Sequence, residues 1–360
     1  MRERSRWNHA GSPTWALTLV AAMLLPMAVS ATSASLHQQW LDGEKAPDSV
    51  KSLAGTVEVV VGSGGTVWSN RSGAWSDLEY PSSENLEDIV AVGPGEFWVC
   101  GAQGVRQYVG ESWGTLQDVG GAMHGIIAHD DGVVTCGVSG RVMRRSGGSW
   151  TNLASGTGET LYGIWGTSAG DFWVCGGGGL IQRYQDGAWE VIASGTSASL
   201  RAVWGAPGVG PYFVGNDGTI LRWRGGQIEP MTSGSTADLL AVHGTSDANL
   251  WAVGAGPSAL RWDGTSWQDM AAPGGFNLPG LNVLPSGLAI ATDTNGNLRT
   301  YRAGEWTSRD VGPDVVLAAV ISLPSQDNRR WWDGFRRPAL GGQGLASGDR
   351  KSTRLNSSHY

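Results

Sequence analysis

Residues 161–189 read LYGIWGTSAGDFWVCGGGGLIQRYQDGAW, and the order of landmarks in this stretch decides the fold. A Leu-x-x-Ile run comes first, from Leu161 to Ile164. An aromatic-Val-small-Gly segment follows, Phe172 to Gly176. A Gly-rich turn then leads into a second apolar run that closes on Trp189. Residues 239–267, LLAVHGTSDANLWAVGAGPSALRWDGTSW, repeat the order, and weaker copies fill most of residues 51–320. The closing Trp gives the register: Trp75, Trp113, Trp150, Trp189, Trp267 and Trp306, spaced 38, 37, 39, 78 and 39. The gap of 78 is two periods, and Ile228 stands at its midpoint. Seven anchors with a period of about 39 mean a solenoid, a propeller or an array.

Strand chemistry decides among these. The apolar runs are short, rich in Val, Ile, Leu and Trp, and bounded by Gly, Ser, Asp and Asn, which is the pattern of strands. Gly62-Ser-Gly-Gly65, Gly137-Val-Ser-Gly140, Gly176-Gly-Gly-Gly179 and Gly215-Asn-Asp-Gly218 share one repeat position, as does Gly101-Ala-Gln-Gly104. Tight hairpins need positive φ, which Gly and Asn supply without steric strain. Four strands of five or six residues with four short connections come to roughly 38 residues. Seven such units predict an all-β fold, a seven-bladed β-propeller with four antiparallel strands per blade. The periodic Trp then fills the wedge between blades, which accounts for 19 Trp without invoking function. A strand run at Val315–Ile321 either supplies the missing inner strand of blade one or begins an eighth blade.

The copies at Gly215-Asn-Asp-Gly-Thr-Ile-Leu-Arg222 and Asp263-Gly-Thr-Ser-Trp267 resemble bacterial extracytoplasmic propeller repeats of the Asp-box (BNR) type. They are also similar to photosystem II assembly and stability factor-like propellers. The likeness spans about residues 51–322 and implies a propeller fold and an extracytoplasmic setting. The Asp of the Ser-x-Asp-x-Gly-x-x-Trp motif survives at Asp186 and Asp263, in both cases without its Ser. The likeness therefore specifies the fold more than any family activity.

The chain ends read differently. Residues 1–31 look like an export signal: Arg2, Arg4 and Arg6 precede an apolar run from Trp15 to Val29, and Val29-Ser-Ala31 is a small-residue cleavage site. Residues 32–50 read as a polar linker. Residues 323–348 fit no repeat and read as a tail or a truncated blade. Residues 349–359, DRKSTRLNSSH, look like the translation of a sequencing adapter, so 349–360 is set apart from the fold. The expected location is secreted or periplasmic. The net charge is −7; residues 1–31 and 349–360 each carry +2, so the remainder carries −11. Such a body lacks the basic footprint of a nucleic-acid binder, and no membrane insertion is expected once the signal is cleaved. Cys100, Cys136 and Cys175 share one repeat slot, where other copies carry Val or Ala; they read as buried free thiols too far apart to bridge. With no Cys-x-x-Cys and no His pair, neither a metal nor a cofactor is expected.

Function in a repeated scaffold lives where the copies differ. The position after the inner-strand Leu holds Glu87, His124, Tyr162, Arg201, Leu240, Asn282 and Ala318. That variation on a constant frame is what a ligand-reading ring at the channel mouth looks like; a solvated rim is the competing reading. A second ring holds Val90, Ile127, Trp165, Trp204 and His243. Its Trp residues either stack on a sugar or pack between blades. The ligand-binding candidates are therefore Glu87, His124, Tyr162, Arg201, Asn282, Trp165, Trp204 and His243. Gly166-Thr-Ser168-Ala-Gly170 matches a nucleophile elbow in letters, but an elbow needs a strand-turn-helix setting, so Ser168 reads as part of a turn. The expectation is a monomeric, non-catalytic binding or scaffold module for a protein or glycan partner. An extracellular glycoside hydrolase or lyase is the alternative. It would need two carboxylates at a set separation, drawn from Glu87, Asp88, Asp130, Asp131 and Asp171.

Overall fold

The computed structural model describes residues 56–70, 74–93, 95–206, 210–311 and 316–324. Expectations for residues 1–50, 325–348 and 349–360 fall outside that set. The described chain forms seven antiparallel sheets of four strands each. Blades two to seven occupy residues 86–113, 123–152, 161–192, 200–231, 239–269 and 280–310. Blade one joins residues 56–77 to the final strand, Leu317–Pro324. That strand pairs antiparallel with Thr56–Gly62, with Val60 opposite Val320 and Thr56 opposite Pro324. The last apolar run thus closes the ring and begins no eighth blade. Closure removes the exposed sheet edges that a linear array of blades would leave.

Turn chemistry fixes four of the hairpins as the glycines foretold, while the blade-two turn at Ala102 and Gln103, between paired Gly101 and Gly104, has no positive φ at its two central residues. In Ser63–Thr66 the Thr66 amide bonds the Ser63 carbonyl, and the two central residues, Gly64 and Gly65, have φ of 64° and 75°. Ser139-Gly140, Gly178-Gly179 and Asp217-Gly218 adopt the same pair of positive φ values, the signature of a type I′ hairpin. These turns lie at the end of the ring where each inner strand starts, because Leu161 pairs with Gly176 and Leu239 with Gly254. That end is called the turn face below.

The landmark glycine before each turn has a second cause. In six blades the inner strand carries a one-residue bulge directly after its first residue. The preceding carbonyl then lies across the glycine and accepts the next amide, as Thr160 O does from Gly177 at 3.0 Å. A Cβ on Gly62, Gly101, Gly137, Gly176, Gly215 or Gly254 would stand 1.9–2.2 Å from that carbonyl oxygen. Blade seven pairs Gly280 with Thr292 and Leu281 with Ala291 without a bulge. There the position holds Thr292.

Blades pack through their aromatic residues. The indole N–H of Trp113 donates to Leu78 O, that of Trp189 to Leu153 O and that of Trp306 to Met270 O, at 2.7–2.8 Å. Each bond runs from one blade to the outer end of the blade before it. In blades two, four and seven the closing Trp is therefore an inter-blade staple as well as a filler of apolar volume. Cys100, Cys136 and Cys175 are free and fully buried. Burial pushes all three thiols well above their ordinary range, which makes them inert packing groups. Among the described residues no helix is long and apolar enough to cross a membrane.

Candidate binding site at the channel mouth

The inner strands line a central cavity of about 370 Å³. The bulge that demands the landmark glycine also builds its mouth. A bulged residue is left out of the ladder and its side chain is re-aimed. In blades one to six those residues are Ala318, Glu87, His124, Tyr162, Arg201 and Leu240, and all of them line the cavity. The ring divides into two arcs. Glu87, His124, Tyr162 and Arg201 form a polar arc on blades two to five. Leu240, Leu281 and Ala318 form an apolar arc on blades six, seven and one.

Neighbours in the polar arc touch. The His124 and Tyr162 rings lie 5.6 Å apart. The Arg201 guanidinium sits 4.5 Å over the Tyr162 ring, and its Nε donates to Asn216 Oδ1 at 2.9 Å. Asn216 belongs to the type I′ turn of the same blade, so the turn holds the arginine in place. Stacking on one face and a hydrogen bond on one edge leave the other edge of the fork for a ligand. Burial lowers the His124 pKa; Glu87 opposes the shift and Arg201 adds to it. Burial thus favours the neutral imidazole at His124.

Asn282 lines the same cavity but not from a bulge. Because blade seven lacks the bulge, Asn282 pairs with Ile290 and is only 3% exposed. Its register partners are Ile89, Ile126 and Ile164. Equal spacing along the sequence hid the missing residue. In the deeper ring Trp165 and Trp204 are 6% and 5% exposed and belong to one continuous core cluster. Trp165 packs over Gly205 of the next blade, whose Cβ would meet the indole at 2.7 Å. Trp204 lies 5.7 Å from His243. His243 Nδ1 in turn accepts the Val283 amide at 3.1 Å, so it bridges blades six and seven. All three line the cavity, and each packs against a neighbouring blade.

Sequence reasoning undervalued Asp88. Its slot holds Gly125, Gly163, Ala202, Ala241 and Ala319 in the other bulged blades, a pattern that could have marked it out. Asp88 Oδ1 accepts its neighbour Ile89 N at 2.8 Å, and Oδ2 accepts Ile126 N of blade three at 3.0 Å. Burial raises its pKa from 3.8 to about 7, against the pull of the two amides and with a small push from Glu87. A carboxyl whose folded pKa is raised stabilises the fold below its unfolded pKa, and that contribution is lost as pH rises through the folded value. Relative to Asp88→Asn, the wild type should therefore lose stability steadily between about pH 4 and pH 7. Parallel unfolding midpoints across that range would contradict the assignment.

The remaining carboxylates weighed for hydrolysis are elsewhere. Asp171 pairs with Arg183 at 3.0 Å, and Asp131 accepts Ala169 N of the next blade. Both, like Asp130, lie just beyond the far ends of the inner strands, which stop at His129 and Ser168. Only Glu87 and Asp88 reach the cavity, and they are adjacent on one strand, not opposed across a cleft. Ser168 Oγ accepts the Gly170 amide at 3.1 Å, which makes it a turn residue.

No protein-family model matches the chain, and no curated protein matches it. Solved structures do. YCF48 from Cyanidioschyzon merolae is 17% identical with a TM-score of 0.55, over 69% of this chain and 92% of that one. A structure of YCF48 bound to D1 peptide is 18% identical with a TM-score of 0.56, over 68% and 87%. The extracellular domain of a putative one-component system from B. thetaiotaomicron is 14% identical with a TM-score of 0.52, over 63% of this chain and 33% of that one. At these identities the likeness concerns the propeller fold.

Proposed function

We propose that this chain is an exported, non-catalytic propeller that binds a segment of a protein partner at the channel mouth. The carrying observation is the bulge ring: one backbone geometry presents six residues of different chemistry to one cavity. A scaffold that served stability alone would have no use for Glu87, His124, Tyr162 and Arg201 on consecutive blades. The juxtaposed apolar arc suits a partner segment with one polar and one apolar side. A similar propeller, YCF48, has been solved with a bound peptide, which supports the peptide reading. The export signal read from residues 1–31 supports an extracytoplasmic setting.

A phage-displayed peptide library panned against the protein tests the proposal. Peptides enriched on the wild type should bind Arg201→Ala and Tyr162→Ala at least about tenfold more weakly, since a charge-assisted contact in a cavity is worth roughly 1.5–3 kcal/mol. Neither substitution touches the fully buried core, so thermal midpoints should change little. Enriched peptides that bind both variants as tightly as the wild type would sink the mouth as the site.

A further inference from the structure

A second cavity, of about 250 Å³, lies on the turn face between blades five and six, away from the channel. One wall is the connection between the two blades, with Ser233 and Ser235. The other wall is blade six, with Pro257, Ser258, Trp267 and Asp269. We infer that this cavity is a binding site for a single neutral sugar ring.

Blade six departs from its siblings at two positions in the lining of the cavity. The glycine closing the type I′ turn, Gly65, Gly140, Gly179 or Gly218 elsewhere, packs flush against the next connection, 1.9–2.1 Å from a carbonyl if given a Cβ. Blade six has Pro257 there, which puts a rigid apolar ring at the rim. The next slot holds Thr66, Arg141, Leu180 and Thr219 in blades one, three, four and five. Blade six has Ser258, the smallest of the set. Blade six joins that small residue to a carboxylate two positions past its closing Trp, Asp269.

The lining matches a sugar and excludes other classes. Trp267 offers an aromatic plate for the C–H face of a pyranose. Its buried indole N–H has no partner among the described residues. Asp269 Oδ1 accepts the Ala271 amide at 2.9 Å, while Oδ2 is bonded to nothing among the described residues and can accept from a ligand hydroxyl. Ser235 Oγ accepts the Ala237 amide, which leaves its own proton to donate. Ser258 supplies a further hydroxyl, both donor and acceptor. The lining holds no cation, so an anionic ligand would meet only Asp269 and be repelled. Peptide capture by strand addition needs a longer edge than the three residues of Trp267–Asp269. The volume lies just below the usual range for small-molecule pockets, roughly 300–1,000 Å³, which fits one ring and not a folded oligosaccharide.

The test is a glycan array followed by saturation-transfer NMR with the neutral methyl glycosides of the hits, at roughly ten millimolar sugar. Neutral saccharides should bind and their uronic-acid counterparts should not. Asp269→Asn and Ser258→Leu should each weaken binding at least about tenfold, while Arg201→Ala leaves it unchanged. Asp269 is exposed and Ser258 only half-buried, so both variants should keep the wild-type unfolding midpoint. Absence of any neutral-sugar signal would overturn the inference. So would binding that survives both substitutions, or that is lost with Arg201→Ala, which would move the sugar to the channel mouth.

Discussion

Cutting the chain after residue 316 should lower the unfolding midpoint by on the order of 10 °C or more and broaden the transition. The strand removed, Leu317–Pro324, is the innermost strand of blade one. Leu317, Ala319 and Val320 are 0%, 9% and 5% exposed. Their loss also strips the cover from Val59, Val60 and Val61, now 1%, 0% and 0% exposed. Burial of a Leu or Val side chain contributes about 1.5–3 kcal/mol, so the deletion costs of order 5 kcal/mol or more. At about 2 °C per kcal/mol for a domain of this size, the expected shift follows. The cut also leaves Thr56–Gly62 as an open edge with nothing on its channel side, so aggregation on heating should increase. Calorimetry on the truncated and full chains decides the matter: an unchanged midpoint with an unchanged transition width would mean that the ring does not depend on its seam.

The second large effect is expected from one methyl group. Gly176→Ala places a Cβ 2.2 Å from Thr160 O and 3.2 Å from Leu161 Cα. The backbone there is extended, with φ −169°, so strain in φ is not at issue. The carbonyl cannot retreat freely, because it accepts the Gly177 amide. Overpacking of this kind costs about 1–3 kcal/mol, and the displaced hydrogen bond adds about 1. The entropy that alanine removes from the unfolded chain returns only about 0.4–1 kcal/mol. A net loss of about 2–3 kcal/mol is expected, a midpoint shift of roughly 5 °C. Blade seven is the internal control. Thr292→Gly, at the register position of Gly176 but in the blade without a bulge, should produce no gain from relieved crowding. It should lose about 1 kcal/mol from the small void left in the core. Denaturant midpoints for the two variants test the coupling of glycine to bulge; an unaffected Gly176→Ala would break it.

Much of this architecture was legible before any coordinates. The closing Trp, with Ile228 in its place in blade five, fixed the blade count because each blade repeats one apolar packing position. The Gly-rich turns were readable because positive φ restricts residue choice more than almost any other local demand. The site was less legible for a definite reason. Glu87, His124, Tyr162 and Arg201 were placed by their spacing from a leucine, which works only while every inner strand carries the same bulge. Asn282 breaks that condition: blade seven dropped the bulge residue, and flanking loops of variable length absorbed the difference. The substitution of Thr292 for glycine was the visible trace of the change, but its meaning needed the carbonyl that crosses the glycine in the other six blades. Asp88 was visible too, as the one acid in a slot that is glycine or alanine in the other bulged blades. Its amide partner lies on a neighbouring blade, and spacing along one repeat does not reveal contacts between repeats.

The pairing of Thr56 with Pro324 also dictates how the ring can be hung. Every inner strand starts at the turn face, so Leu317–Pro324 runs away from it, and Thr56–Gly62 runs back towards it. The two polypeptide ends of the ring therefore emerge side by side at the pole opposite the mouth. A tether on either end, whether a surface anchor, a neighbouring domain or an engineered biotin, holds the propeller like a lamp on a stalk, with its mouth facing outward. The same proximity suits the ring to circular permutation: a short linker from 324 to 56 would free a new pair of termini to be cut at an exposed connection on the turn face, and immobilisation through those termini would turn the mouth towards the support instead.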